Sequence, residues 1–279
     1  MIFMYLCCAG AMSQINHPKA SPFSQTQQSL GLATITVAYS RPAVKARQIW
    51  GALVPYGRIW RVGANESTKF TTDSELYIMG HALPPGTYAL YAFPEAEEWT
   101  FIFHKNTTHW GDGRTAYNPD EDAIRVRVVP EKTTTQQENF LISFDRIDHN
   151  SMDMILHWDY RRIRVPIHID TDDLMEREIA NNIKRNPTAQ TYYEAARYLQ
   201  EQGKDASRAL SYLQQAIRIG GDTYYFYRVK SLVEAELKNY SDAIKSAQKS
   251  LELAEAEGKD EFVRMNQENI AKWKKLIHD

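Results

Sequence analysis

The chain has 279 residues, of which 43% are hydrophobic and 24% charged, too apolar for a disordered polymer and long enough for two ordinary domains. Its 33 Lys and Arg against 35 Asp and Glu leave a net charge of -2. The balance is even along the chain, 16 basic against 17 acidic side chains up to residue 170 and 17 against 18 after it, which argues against a nucleic-acid partner because a duplex binder needs a cationic face.

Residues 2–11 are nearly all apolar or small, and Ala9-Gly10-Ala11 follows as an A-x-A pattern. Such a run is too short to span a bilayer and suits a secretory signal, so residues 1–13 are expected to be removed after Ala11 or Ser13. That places the mature protein in the periplasm or cell envelope. Cys7 and Cys8 both lie in this segment, so the mature chain is expected to fold without disulfides. A lipid anchor on Cys8 is the less favoured alternative. No later run approaches 18 apolar residues, and no transmembrane span is expected.

From about residue 29 to 170 the hydrophobic pattern has period two. Ile35, Val37 and Tyr39 alternate with Thr34, Thr36 and Ala38, and Ile124, Val126 and Val128 alternate with Arg125 and Arg127. Phe140, Ile142 and Phe144, the run Met152 to Trp158, and Ile163, Val165 and Ile167 repeat it, and further strands are expected at 67–72, 75–79, 87–93 and 99–104. Alternation of this kind buries one face of a strand and wets the other. About nine short antiparallel strands over residues 21–170 predict a β-sandwich, with a barrel as runner-up.

After Asp170 the period becomes helical, giving a second domain over residues 171–279. Thr171-Asp172-Asp173 reads as an N-cap cluster before a helix at 174–185, which Asn186-Pro187 ends. Five more helices are expected at 188–202, 205–219, 222–238, 241–257 and 260–277. Aligning Ala209 with Ala243 also aligns Ala216 with Ser250 and Ile217 with Leu251. That offset is the length of a tetratricopeptide repeat. Ala196 and Ser231 hold the small position in the partner helices, so the tail reads as two repeats with flanking helices.

Several segments of the first domain carry a resemblance. They are Tyr39-Ser40-Arg41-Pro42, Val54-Pro55-Tyr56-Gly57, Trp60-Arg61-Val62-Gly63-Ala64-Asn65-Glu66, Leu83-Pro84-Pro85-Gly86-Thr87-Tyr88, Trp99-Thr100-Phe101-Ile102-Phe103 and Trp110-Gly111. In order and content they resemble the bacterial exported family catalogued as domain of unknown function 2911, over about residues 21–168. The resemblance implies an exported protein with tetratricopeptide-like helices behind the strand domain, and it implies no reaction. Val62 stands where the family usually has Thr, and His104 where it usually has Asn.

Arg61, Asn65 and Glu66 form the densest polar cluster of the domain. A guanidinium fork, an amide and a carboxylate could grip a carboxylate or a sugar, or place Glu66 as a general acid or base. In the bland reading Arg61 pairs with Glu66 and ties a long loop to the sandwich. Arg41, Tyr56, Trp60 and Trp110 complete the candidate ligand-binding set, the aromatics either stacking on a ligand or covering the core. No residue is assigned a catalytic role. His104, His109 and Asp112 are near one another, but their spacing fits no established zinc pattern, so no metal and no cofactor is expected. The leading expectation is a non-enzymatic exported protein. Its sandwich would bind a small molecule, glycan or peptide, and its helical repeats an unidentified protein partner. The alternatives are a hydrolase centred on Glu66 and a purely structural envelope protein.

Overall fold

Ile35, Val37 and Tyr39 turn to one face of their strand and are buried, while Thr34, Thr36 and Ala38 between them stay half-buried. The same alternation recurs down the first 170 residues and builds two antiparallel sheets. The computed structural model describes residues 17–111 and 113–278, so the expected signal segment, Cys8 and Asp112 lie outside the described residues. The chain divides into two units after Thr171.

The strands of the first unit are β1 (Phe23–Leu30), β2 (Ala33–Ser40), β3 (Thr68–Thr72), β4 (Leu76–Ile78), β5 (His81–Leu83), β6 (Gly86–Phe93), β7 (Trp99–His104), β8 (Asp122–Val128), β9 (Glu131–Asp145) and β10 (Ser151–His168). One sheet has the order β1-β2-β3-β6-β7-β8 and the other β5-β4-β10-β9. The expected β-sandwich is therefore present, with ten strands among the described residues.

Three details differ from the sequence reading: β5 (His81–Leu83) lies between two expected turns and pairs with β4, and the other two concern β1 and β10. β1 is an added edge strand, whose Ser, Gln and Thr carry no hydrophobic contrast but pair with β2 from Phe23–Ser40 to Leu30–Ala33. β10 is also one strand of 18 residues where two short ones were expected. Asp159 sits at φ +52 between two register shifts, so a bulge carries the strand through instead of ending it.

The sheets are stitched by Tyr39. Its hydroxyl donates to the Ile142 carbonyl at 3.2 Å and accepts from the Ile142 amide at 3.0 Å. Phe70, Phe101, Phe103, Ile78, Leu83 and Val165 fill the interior. The segment between β2 and β3 crosses from sheet to sheet. The Val44 amide donates to the Glu138 carbonyl of β9, and Trp60 exchanges two backbone bonds with Ala92 of β6. It carries Trp50 and Trp60 onto Trp99, Trp158 and Phe140. Trp50 lies 4.7 Å from Trp99, and Trp60 is stacked 6.1 Å from Trp158 at 17°.

The second unit is built from α1 (Thr171–Arg185), α2 (Ala189–Glu201), α3 (Ala206–Arg218), α4 (Tyr224–Glu236), α5 (Tyr240–Ala256) and α6 (Asp260–His278). The expected helices are all there. α1 begins three residues early, at Thr171, whose hydroxyl donates to the His149 carbonyl. Thr188 caps α2 by accepting from the Thr191 amide, and Asp205 caps α3 by accepting from the Arg208 amide. No helix among the described residues is long and apolar enough to cross a membrane.

Ala196, Ala209, Ala216, Ser231, Ala243 and Ser250 are fully buried. Ala209 with Ala243 and Ala216 with Ser250 are small positions of the 34-residue alignment, Ala196 and Ser231 match with one residue inserted near Lys204, and α2–α3 and α4–α5 form the two helix pairs. Small side chains there let the backbones approach, and Ser250 keeps its hydroxyl satisfied by donating to the Tyr224 carbonyl at 2.7 Å. Ala243→Leu is expected to overpack the α5 contact and cost about 1–3 kcal/mol in urea unfolding followed by far-UV circular dichroism. Lys245→Leu, on the exposed face, is expected to change little. Equal losses would break the repeat alignment.

Candidate functional site

The Trp60-to-Glu66 segment is a tight backbone knot rather than an open loop. The Thr68 amide and hydroxyl donate to the carbonyls of Arg61 and Val62, at 3.3 and 2.5 Å, and the Trp60 indole donates to the Gly63 carbonyl at 3.2 Å. Val62 lies at φ +53 and Asn65 at +60. A β-branched residue rarely adopts that conformation, so the surrounding bonds hold Val62 under strain. Gly63 has no alternative: a Cβ there would stand 3.1 Å from both the Ser40 carbonyl and the Thr68 hydroxyl.

This knot separates residues that the sequence groups. Asn65 is structural, its amide donating to the Ser21 carbonyl at 3.2 Å and the Ser40 hydroxyl at 3.1 Å. Glu66 points to solvent, while its backbone bridges to Trp110. It adds negative potential near Lys69, whose ammonium burial pushes below its ordinary range and Glu66 partly restores. Arg61 turns the other way. The Arg61–Glu66 ion pair of the bland reading does not form among the described residues, where the four residues between them are bent backbone with positive φ at Val62, Gly63 and Asn65.

Arg61 lies beside a cleft of about 300 Å³ whose charged lining is Arg47, Arg58, Arg61 and Arg114, with no carboxylate among its described residues. Trp60 and Trp158 form its apolar wall. The Arg47 side chain is fixed by donating to the carbonyls of Ala43 and Val44. The Arg61 Nε is buried and has no hydrogen-bond partner. A desolvated donor left unpaired costs free energy, and an anion entering the cleft would satisfy it.

The other candidates fall elsewhere. Arg41 is taken up by structure, its Nε donating to the Phe140 carbonyl at 2.9 Å. Tyr56 is half-buried, close to Gly51. Trp60 is a core residue with one edge on the cleft. Trp110 is 74% exposed and lines a second cavity of about 500 Å³ with His109, Gly113, Arg114, Thr115 and Ala116. Arg47, Arg58 and Arg114 were not singled out from the sequence, although a signal was there: residues 41–65 hold five basic side chains and no acidic one.

A second polar cluster sits at the end of β7. His104 is 0% exposed, and its Nδ1 meets Asp122 Oδ1 at 3.0 Å. The other Asp122 oxygen accepts from the Tyr117 hydroxyl and the Arg125 guanidinium, both at 2.8 Å. Burial and that hydrogen bond push the Tyr117 phenol well above its ordinary range. His104, His109 and Glu121 bring one possible ligand atom each to within 4.8 Å of the others. Glu121 was invisible to spacing arguments, because 11 residues separate it from His109.

No curated protein matches this chain. The family model described as protein of unknown function DUF2911 matches residues 21–167, which takes in the whole knot, the arginine cleft and the histidine cluster. On that match, covering more than half of its length, the chain belongs to the DUF2911 family.

Proposed function

We infer that this is an exported binding protein whose strand domain takes a small anionic ligand, one bearing a carboxylate or phosphate, in the arginine cleft. The observation that carries the reading is the buried, unpartnered Arg61 Nε in a cleft with four arginines and no described carboxylate. A planar guanidinium matches a carboxylate or phosphate bidentately, and Leu53 and Pro55 of the lining offer an apolar surface to the rest of the ligand. Export is supported by the apolar run at residues 2–11 and its small-residue end.

Binding is favoured over hydrolysis because Glu66, the one acid of the sequence motif, points to solvent and does not line the cleft. Carboxylate-based glycoside cleavage needs two such groups flanking the ligand. The helical unit would supply a protein-binding surface. A cavity of about 630 Å³ along α1 and α2, with Met175, Ile179 and Tyr198 among its lining residues, supports that role.

The test is a thermal-shift and calorimetric titration with glucuronate and inorganic phosphate, against glucose as a neutral control. An anion is expected to raise the melting temperature and glucose to leave it unchanged. Arg61→Met is expected to abolish the shift without lowering the stability of the unliganded protein, since it removes an unpaired buried donor. An anion response that survives in Arg61→Met, or no response to either anion, would remove the cleft as a binding site.

A further inference from the structure

We propose that His104, His109 and Glu121 form a site for a divalent transition metal such as zinc, against the expectation from sequence spacing. The argument starts with Asp122. Its carboxylate accepts from Tyr117 and Arg125, which fixes its position, and it faces His104 Nδ1 at 3.0 Å. The imidazole proton therefore belongs on Nδ1, donated to Asp122. That leaves the lone pair on Nε2, pointing the other way.

Nε2 is buried and makes no hydrogen bond, yet Glu121 Oε2 stands 3.3 Å from it. The approach is close but lacks hydrogen-bond geometry. The Glu121 carboxylate is partly exposed, so only the Nε2 side of this contact is dry, and a lone pair buried there without a partner carries a cost that a bound cation would remove. His109 supplies the third donor: one of its ring nitrogens lies within 4.8 Å of the ligand atoms of His104 and Glu121, and its ring lies 5.7 Å from the ring of His104. A buried imidazole nitrogen without a partner, beside a carboxylate and a second imidazole, is costly as an empty arrangement.

The spacing suits a metal. Zinc–nitrogen and zinc–oxygen bonds of about 2.0–2.2 Å in a tetrahedron put neighbouring donor atoms about 3.3–3.6 Å apart. The His104–Glu121 pair already stands at 3.3 Å, and all three donors lie within 4.8 Å of one another. The His104–Asp122 bond is the outer-sphere contact that fixes a ligating imidazole and raises its basicity. Two histidines and one carboxylate select zinc or a neighbouring first-row ion over calcium or magnesium, which take oxygen ligands. His109 also lines the 500 Å³ cavity under Trp110, which gives the ion an entry path and leaves a coordination position for water or a ligand.

Zinc titration of the tag-free full chain tests this, in a Cys7→Ser, Cys8→Ser background so that thiols outside the site do not report. Uptake of one equivalent of zinc is expected, with a rise in melting temperature. Cobalt is expected to give visible ligand-field bands that zinc bleaches. His109→Ala and Glu121→Gln, both outside the packed core, are each expected to weaken zinc at least 10-fold, and Asp122→Asn about 10–100-fold through the outer sphere. His81→Ala, an exposed histidine elsewhere, is expected to leave affinity unchanged. Circular dichroism melts confirm that each variant is folded. Absence of stoichiometric zinc, or an affinity that His109→Ala and Glu121→Gln leave intact, would overturn the site.

Discussion

Trp158→Ala is expected to lower the unfolding free energy of the strand unit by about 3–5 kcal/mol. Trp158 is 2% exposed and sits where Trp50, Trp60 and Phe140 converge, with ring centroids 5.9, 6.1 and 5.9 Å away. Its indole donates to the Glu138 carbonyl at 3.3 Å, so truncation removes a hydrogen bond as well as the ring. The hole cannot close easily, because its walls are rigid aromatic side chains held by two sheets and by the crossing segment. Trp158→Phe keeps most of the buried area and is expected to lose about half as much. Urea unfolding followed by near-ultraviolet circular dichroism isolates this unit, since five of the six tryptophans lie in the strand unit at or before residue 110 or in β10 as Trp158 itself. A loss below about 1 kcal/mol would mean that the cluster covers a surface and holds no core together.

The second large effect is expected in the helical unit, from Lys230→Met. Glu234 is 4% exposed on α4, and one of its carboxylate oxygens has no hydrogen-bond partner. The other is held by the Lys230 ammonium at 2.5 Å, which also donates to the Ser246 hydroxyl of α5 at 2.9 Å. Removing the lysine leaves a carboxylate in a dry helix contact, at a cost of about 3–5 kcal/mol. Lys230→Met with Glu234→Leu is expected to recover most of that loss, because neither charge is then stranded. Helical far-ultraviolet signal against urea reads both variants. Additive losses would show that the two groups act independently.

The arginine cleft and the histidine cluster lie on the same stretch of chain, for a physical reason. The backbone bridge between Glu66 and Trp110 joins the knot after Trp60 to the loop after β7. That loop carries His109 toward His104 on one side and Arg114 toward the cleft on the other. An ion held by His104, His109 and Glu121 would fix the loop and so the position of Arg114. Calorimetric titration of the anion with and without zinc separates two linked sites from two independent ones.

Periodicity was enough to read the two units, most strand positions and every helix. The helical half was the more legible because its signals are local: small residues where helices touch, and Gly or Asn where they end. Those positions, Ala196, Ala209, Ala216, Ser231, Ala243 and Ser250, are all fully buried. β1 escaped because an edge strand needs a partner on one side only, and its Ser, Gln and Thr leave no hydrophobic trace. β10 looked like two strands because a bulge at Asp159 resembles a turn when only the side-chain pattern is seen.

For the site, the sequence alone determined which segment to look at, since Trp60 to Glu66 packs a rare density of polar, aromatic and small residues into seven positions. Only the tertiary structure decided what those residues do. Left-handed backbone at Val62 and Asn65 turns Arg61 into the cleft and Glu66 into solvent, an outcome that side-chain chemistry does not encode. Arg47, Arg58, Arg61 and Arg114 are spread over 68 positions, and His104, His109 and Glu121 over 18. They meet because β6, β7 and β8 are neighbours in one sheet and the crossing segment is pinned to β6 at Trp60. Convergence of that kind is set by strand order and register, which depend on contacts between residues far apart in the chain.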